Sequence, residues 1–155
     1  MQRIVTSETK SAKLIESIKL ANNVLEDSDF YTRLSKIKGF DYSDITEEVL
    51  SKLIFDSQKI ASVIIKRKQN PFSAATAYTK PAYPTLIFIY NSYLTSKEVN
   101  AIDIACTLIH EFVHLIDYES ADYDFGHGNN YNAGKENTAP YAIEKVTRDI
   151  IENKF

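Results

Sequence analysis

Cysteine, glycine and proline are scarce in this chain of 155 residues. The single cysteine, Cys106, excludes an internal disulfide, which fits a reducing compartment. The sequence shows no internal repeat, low-complexity tract or Gly/Pro-rich linker. Its length is that of about one domain, so we expect a single domain over residues 1–155.

Long apolar runs and a strong charge of one sign are also missing. No run approaches the ~18 apolar residues that are needed to cross a bilayer, and the N-terminal segment turns polar at Thr6-Ser7-Glu8, without the apolar core of a secretory signal. The net charge of −3 gives no electrostatic footprint for nucleic acid or an anionic membrane. We therefore expect a cytoplasmic protein that binds neither; non-classical export or release by lysis stays open as an alternative.

The pattern of apolar residues predicts an α+β fold. Helical spacing dominates about residues 7–57, strands are expected within about 58–92, a long helix over about 96–119, and a closing helix near Pro140. The strand candidates are Ile60–Ile65, Ala74–Tyr78 and Thr85–Tyr90. The expected helix starts are Thr6 or Ser7, Ser28, the Asp44–Glu47 pair and the Thr95–Glu98 pair.

One short motif carries chemistry: His110-Glu111-Phe112-Val113-His114 matches H-E-x-x-H on the long predicted helix. Histidines four residues apart lie on the same face of a helix, so both imidazoles can reach one Zn²⁺ ion. The glutamate lies beside the metal, where it can act as general base. The motif therefore predicts zinc ligands at His110 and His114 and a catalytic carboxylate at Glu111.

A catalytic zinc usually has a third protein ligand and an open position. His127 is the favoured candidate, because it is the only other histidine and has a glycine on either side that lets the backbone approach the metal. Glu144, on the predicted last helix, is the alternative third ligand.

Three further residues are weaker candidates. Asp117 lies one turn beyond His114 and can accept a hydrogen bond from a ligand imidazole. Tyr131 and Tyr141 can donate to the oxyanion of a tetrahedral intermediate. The chain holds ten tyrosines, however, and most of them are expected to pack or line the surface.

The motif, together with Gly126-His127-Gly128-x-x-Tyr131, resembles the SprT-like branch of the zincin metallopeptidases. This resemblance covers about residues 110–131 and implies a zincin-like α+β fold, with His110, His114 and His127 as ligands and Glu111 as general base. The chain is also similar to gluzincins of the lethal-factor-like kind, and that similarity implies Glu144 as third ligand. The metzincin pattern does not fit, because Asp117 and Ser120 occupy its glycine and histidine positions.

These observations predict a zinc-dependent peptidase that acts on a peptide or protein substrate. Two alternatives stay open: a catalytically inactive or structural zinc-binding or assembly module, and an amide hydrolase acting on cell-wall peptides. The presence of Glu111 favours catalysis, because a purely structural zinc site needs no general base.

Overall fold

The chain is a mixed α+β protein. The computed structural model describes residues 2–7, 10–70, 74–127 and 136–155, and within these ranges it has six helices and one four-stranded sheet. The helices are α1 (Ala12–Glu26), α2 (Ser28–Leu34), α3 (Glu47–Asp56), α4 (Asn91–Thr95), α5 (Ala101–Asp117) and α6 (Ala139–Lys154). The strands are β1 (Ile4–Thr6), β2 (Ala61–Lys66), β3 (Ala77–Tyr78) and β4 (Leu86–Tyr90).

The sheet is mixed, with the strand order β1-β2-β4-β3. Strands β1, β2 and β4 run parallel, and the short β3 is antiparallel to β4 at one edge. Val63, Ile87 and Ile89 are fully buried and belong to the hydrophobic core, as expected for alternate residues on one sheet face. The edge strand β3 borders the cleft that contains the candidate site.

Helix α5 is the central helix of the structure. It packs against α1 and α6 and contacts β3 and β4. Its start is fixed by a reciprocal capping box, in which the Asn100 side chain accepts from the Asp103 backbone and the Asp103 carboxylate accepts from the Asn100 backbone. The helix contains neither glycine nor proline, and most of its residues are buried, as expected for a helix that is apolar around most of its circumference.

The strand predictions are confirmed in part. The segments Ile60–Ile65 and Thr85–Tyr90 correspond to β2 and β4, displaced by about one residue, while the candidate at Ala74–Tyr78 shortens to the two residues of β3. The prediction that the N-terminal part is helical from about residue 7 missed β1. That strand has only three residues, which is too short for an alternating pattern to stand out.

Several predicted helix boundaries were wrong. The N-cap of α1 is Ser11 rather than Thr6 or Ser7, and Thr6 is instead the last residue of β1. Helix α3 is capped by Thr46 rather than Asp44. Thr95 is the last residue of α4, and the N-cap of α5 is Asn100. In each case a second serine, threonine or asparagine close by competes for the cap, and tertiary packing decides between them.

Helix α2 also differs from its prediction, because it starts after Asp27 and ends at Leu34 rather than near Gly39. Gly39 does adopt the left-handed conformation, with φ of 75°. None of the described helices is both long enough and apolar enough to cross a membrane.

Candidate metal centre

The three histidines of the chain meet at one point. His110 and His114 project from α5, and His127 comes from the loop that follows it. The Nε2 atom of His127 lies 3.0 Å from Nε2 of His110 and 3.0 Å from Nε2 of His114. One ring nitrogen from each histidine lies within 4.8 Å of the other two, so all three can reach a single ion.

Partners on the opposite ring nitrogens orient two of the imidazoles. The Nδ1 atom of His110 lies 3.1 Å from Oε2 of Glu144 on α6. A carboxylate accepts hydrogen bonds, so the proton of a neutral His110 lies on Nδ1 and leaves a lone pair on Nε2. Nδ1 of His127 lies 2.9 Å from the hydroxyl of Thr138, at the start of α6. Helix α6 therefore fixes the ring orientation of two of the three histidines.

The histidine cluster fits a divalent cation. The Nε2 atoms of His110 and His114 both face Nε2 of His127, and that nitrogen carries at most one proton. Hydrogen bonds alone therefore leave lone pairs of these nitrogens directed at one another. Burial and the neighbouring His110 and His127 lower the pKa of His114 to about 3, which keeps its imidazole neutral near pH 7. Three neutral imidazoles are a donor set that Zn²⁺ prefers.

Glu111 lies beside the histidines, in the wall of a cleft of about 890 Å³. Only 8% of its surface is exposed. Burial raises the pKa of its carboxyl, while the electrostatic interaction with the His110 ring and with the Thr79 hydroxyl opposes that rise. A carboxylate whose pKa is raised by burial is suited to accept a proton in the cleft.

The cleft lies between α5 and the edge of the sheet. The segment of residues 74–79, which includes β3, contributes to its lining on the sheet side. Helix α5 contributes Thr107, His110, Glu111, His114 and Asp117 to its lining. The ligand atoms are therefore reachable by a molecule that enters the cleft.

Asp117 holds the loop that carries His127. Its Oδ1 accepts a hydrogen bond of 2.8 Å from the backbone N–H of Phe125, whose ring is fully buried. At Gly126 an added Cβ would lie 3.1 Å from Oδ2 of Asp117 and 3.7 Å from Nδ1 of His114, so the backbone approaches the site more closely than a side chain allows. The structure thus gives Asp117 a bond to the backbone of this loop, and its predicted bond to a ligand imidazole stays a prediction.

Tyr141 lies against the cluster as well. Its ring centroid is 4.6 Å from that of His110 and 4.9 Å from that of His127, and the residue lines the cleft. Tyr131, the other tyrosine predicted as an oxyanion donor, lies outside the described residues.

Sequence reasoning missed Thr79 and Thr138. Both are ordinary threonines in the sequence, and no motif marks them. The one available signal was the position of Thr138 two residues before Pro140, which places it at the N-terminus of α6.

The chain matches no protein-family model, no curated protein and no solved structure. The zincin resemblance therefore depends on the motif residues alone.

Proposed function

We propose that this protein is a zinc-dependent peptidase with a zincin-like fold, in which His110, His114 and His127 bind the ion. The observation that carries the proposal is the meeting of three Nε2 atoms in an open cleft, next to the buried carboxylate of Glu111. A structural site would be closed by a fourth protein ligand, whereas a catalytic site keeps one position open. Within the described residues, the cluster contains three ligand groups.

The residues of the cleft divide the proposed chemistry among them. A zinc ion held by the histidines would polarise the scissile carbonyl and lower the pKa of the attacking water. Glu111 accepts the proton of that water and delivers it to the leaving amine. Glu144 and Thr138 keep the rings of His110 and His127 in position. Tyr141 is the proposed oxyanion donor, and the contact of its ring with those of two ligands supports this role.

The position of the edge strand supports a peptide as substrate. One side of β3 is paired with β4, and its other side is an edge of the four-stranded sheet. An extended peptide can add to such an edge through backbone hydrogen bonds. Since residues 74–79 line the cleft together with the histidines, a peptide on this edge would pass Glu111.

Contacts of the candidate third ligands favour the SprT-like branch over the lethal-factor-like gluzincins. Nε2 of His127 lies with the Nε2 atoms of the other two histidines, whereas Glu144 contacts the opposite nitrogen of His110. The proposal therefore assigns the third ligand to His127 and a supporting hydrogen bond to Glu144.

The test uses protein without a histidine tag, loaded with zinc and assayed on a library of quenched fluorescent peptides. We expect bound zinc and hydrolysis, and we expect Glu111→Gln to keep the zinc while hydrolysis falls about 10²- to 10⁴-fold. Glu98→Gln, at an exposed glutamate ahead of α5, is the matched control and should leave both unchanged. Bound zinc without any hydrolysis would favour the structural alternative, and a chain that binds no zinc would overturn the proposal.

A further inference from the structure

The sheet carries aromatic side chains on the face that is turned away from the hydrophobic core. Ala77 of β3 and its partner Ile89 of β4 belong to the core. Tyr78 and its partner Phe88 lie on the opposite face, because successive residues of a strand point to opposite sides. Tyr90 lies on the same outer face as Phe88, two residues further along β4. At the edge formed by β3, this outer face therefore ends in the side chain of Tyr78.

The aromatic rings of the outer face contact one another and are covered by lysines. The rings of Tyr78 and Phe88 are stacked, with centroids 4.9 Å apart and planes inclined by 22°. The Tyr90 ring lies 5.5 Å from that of Tyr78. An ammonium group lies over each ring, at 5.5 to 5.6 Å from its centroid: Lys80 over Tyr78, Lys66 over Phe88 and Lys68 over Tyr90. These distances are within the range of cation–π attraction.

The three lysines give the outer face a positive charge. Lys66 and Lys80 are exposed and Lys68 is partly exposed. Within the part of the chain that the structure describes, none of them forms an ion pair with a carboxylate. The protein as a whole has a net charge of −3, so this local positive charge is opposite in sign to that of the whole chain. The outer face is therefore complementary to an anionic partner.

Lys80 is the lysine at the edge where a peptide would add. Phe88 covers the face of the Tyr78 ring that is turned toward β4, so the ammonium group over this ring lies on its other face, toward the edge. A strand paired with β3 would place every second side chain on the outer face, with one Cβ about 4.5–5.5 Å from that of Tyr78. A carboxylate at that position of the peptide can reach the Lys80 ammonium group.

We propose that Lys80 selects peptides with an aspartate or glutamate at the position that lies beside Tyr78, and that Lys66 and Lys68 add to the attraction. The inference rests on the proposed function, for which it names the class of substrate. An ammonium group already lies over each ring, and Phe88 is only 6% exposed. The outer face thus offers positive charges rather than free ring surfaces, which favours carboxylates over stacked nucleic-acid bases.

Peptide binding to the zinc-loaded Glu111→Gln variant tests this selection without hydrolysis. Fluorescence anisotropy compares peptides that differ only by Glu, Gln or Lys at one scanned position. At one position we expect Glu to bind about two- to fivefold more tightly than Gln, as for an exposed ion pair, and Lys to bind more weakly. The two adjacent positions should show no such gain, because their side chains point to the other face.

Charge reversal identifies the residue that is responsible. Lys80→Gln should abolish the preference, and Lys80→Glu should reverse it, so that the lysine peptide binds more tightly than the glutamate peptide. Lys52→Gln, at an exposed position of α3, removes the same charge from another surface and should leave the preference unchanged. A preference for Glu that survives Lys80→Glu would overturn the inference.

Hydrolysis by the wild type separates this inference from the proposed function. We expect the glutamate peptide to be cleaved with a KM lower by a similar factor and an unchanged kcat. Cleavage of all three peptides with equal KM would overturn the inference and leave the proposed function standing. Acid-selective binding without cleavage would overturn only the proposed function. A single-stranded oligonucleotide or an anionic lipid vesicle that displaces the peptide and binds more tightly would overturn the choice of a peptide as partner.

Discussion

Histidine occurs only three times in the chain, and all three copies contribute to one cluster. At the scale of single residues, the difference between His127 and Glu144 lies in the nitrogen that each contacts. His127 meets Nε2 of His110, and Glu144 meets Nδ1 of the same ring. The proposal therefore assigns His127 as a ligand and Glu144 as the support of a ligand.

Substitution of the two residues should separate these roles. We expect His127→Ala to lose zinc in competition with a chromophoric chelator, because it removes one of three donors. Glu144→Gln should keep the site and weaken its zinc affinity about 10- to 100-fold, as losses of such supporting bonds do. Glu152→Gln on the same helix, at an exposed position, is the control. Retention of zinc by His127→Ala together with its loss in Glu144→Gln would reverse the assignment.

Gly126 offers a test of the loop that presents His127. A methyl group in Gly126→Ala would lie 3.1 Å from Oδ2 of Asp117, so the loop must shift, and we expect a loss of about 1–3 kcal/mol in the free energy of unfolding together with weaker zinc binding. Gly39→Ala is the matched control: φ there is +75°, so it should lower stability through backbone strain and leave zinc affinity unchanged. Equal zinc affinity in both variants would contradict the role of Gly126.

Much of the geometry of the candidate site was predictable from the sequence. The spacing of His110 and His114 predicts a common helix face with Glu111 beside it, and the structure places all three on one helix beside one cleft. The contact of Asp117 was not predictable, because it depends on how the loop after α5 folds back onto the end of that helix. Period and spacing describe a single element and carry no information about such contacts.

At the scale of the elements, α5 carries the site and its two ends fix its position. The N-terminal end is held by the capping box of Asn100 and Asp103, and Asp103 also pairs with Arg148 of α6 at 2.8 Å. The C-terminal end leads through Tyr118 into the loop held by Asp117.

The true cap of α5 can be identified by stability measurements. Asn100→Ala should lower the free energy of unfolding by about 1 kcal/mol, since it leaves an orphan backbone N–H at the helix start. Thr95→Ala, at the residue that the sequence predicted as cap, should change it by less than about 0.5 kcal/mol. Urea denaturation of both variants makes the comparison. A larger loss for Thr95→Ala would contradict the placement of the helix start.

Elements were predicted unevenly, for a physical reason. Helix α5 shows its apolar pattern over 17 residues, and β2 and β4 consist mainly of apolar residues, several of them β-branched. The short β1, β3 and α4 have two to five residues, and only their partners in space stabilise them. Their bounds therefore depend on tertiary contacts that no local pattern shows.

At the scale of the whole molecule, the site is built from segments distant in sequence. The described residues that line the cleft run from Ala74 to Glu144, and α5 is packed between α1 and α6. Ligand binding that requires this arrangement stabilises the folded state over the unfolded one. Zinc should therefore raise the unfolding temperature, and a chelator should reverse the effect.

Stability of the metal-free protein should depend on pH through His114. Its pKa is about 3 in the folded protein and 6.5 for an ordinary histidine side chain, so the unfolded chain binds more protons between these pH values. His114 therefore makes the folded protein less stable as pH falls from 6.5 toward 3. The raised pKa of Glu111 has the opposite sign, so a comparison of variants is needed.

His114→Asn isolates the contribution of His114. Chemical denaturation at pH 7 and pH 5 should show a smaller loss of stability on acidification in this variant than in the wild type. A loss of the same size in both proteins would contradict the low pKa assigned to the buried imidazole.

X-ray absorption at the zinc edge tests the central claim most directly. On zinc-loaded protein we expect about one ion per chain, bound by three imidazoles and one further light atom, with no sulfur. A spectrum with sulfur ligation, fewer imidazoles, or no retained zinc after dialysis would contradict the account.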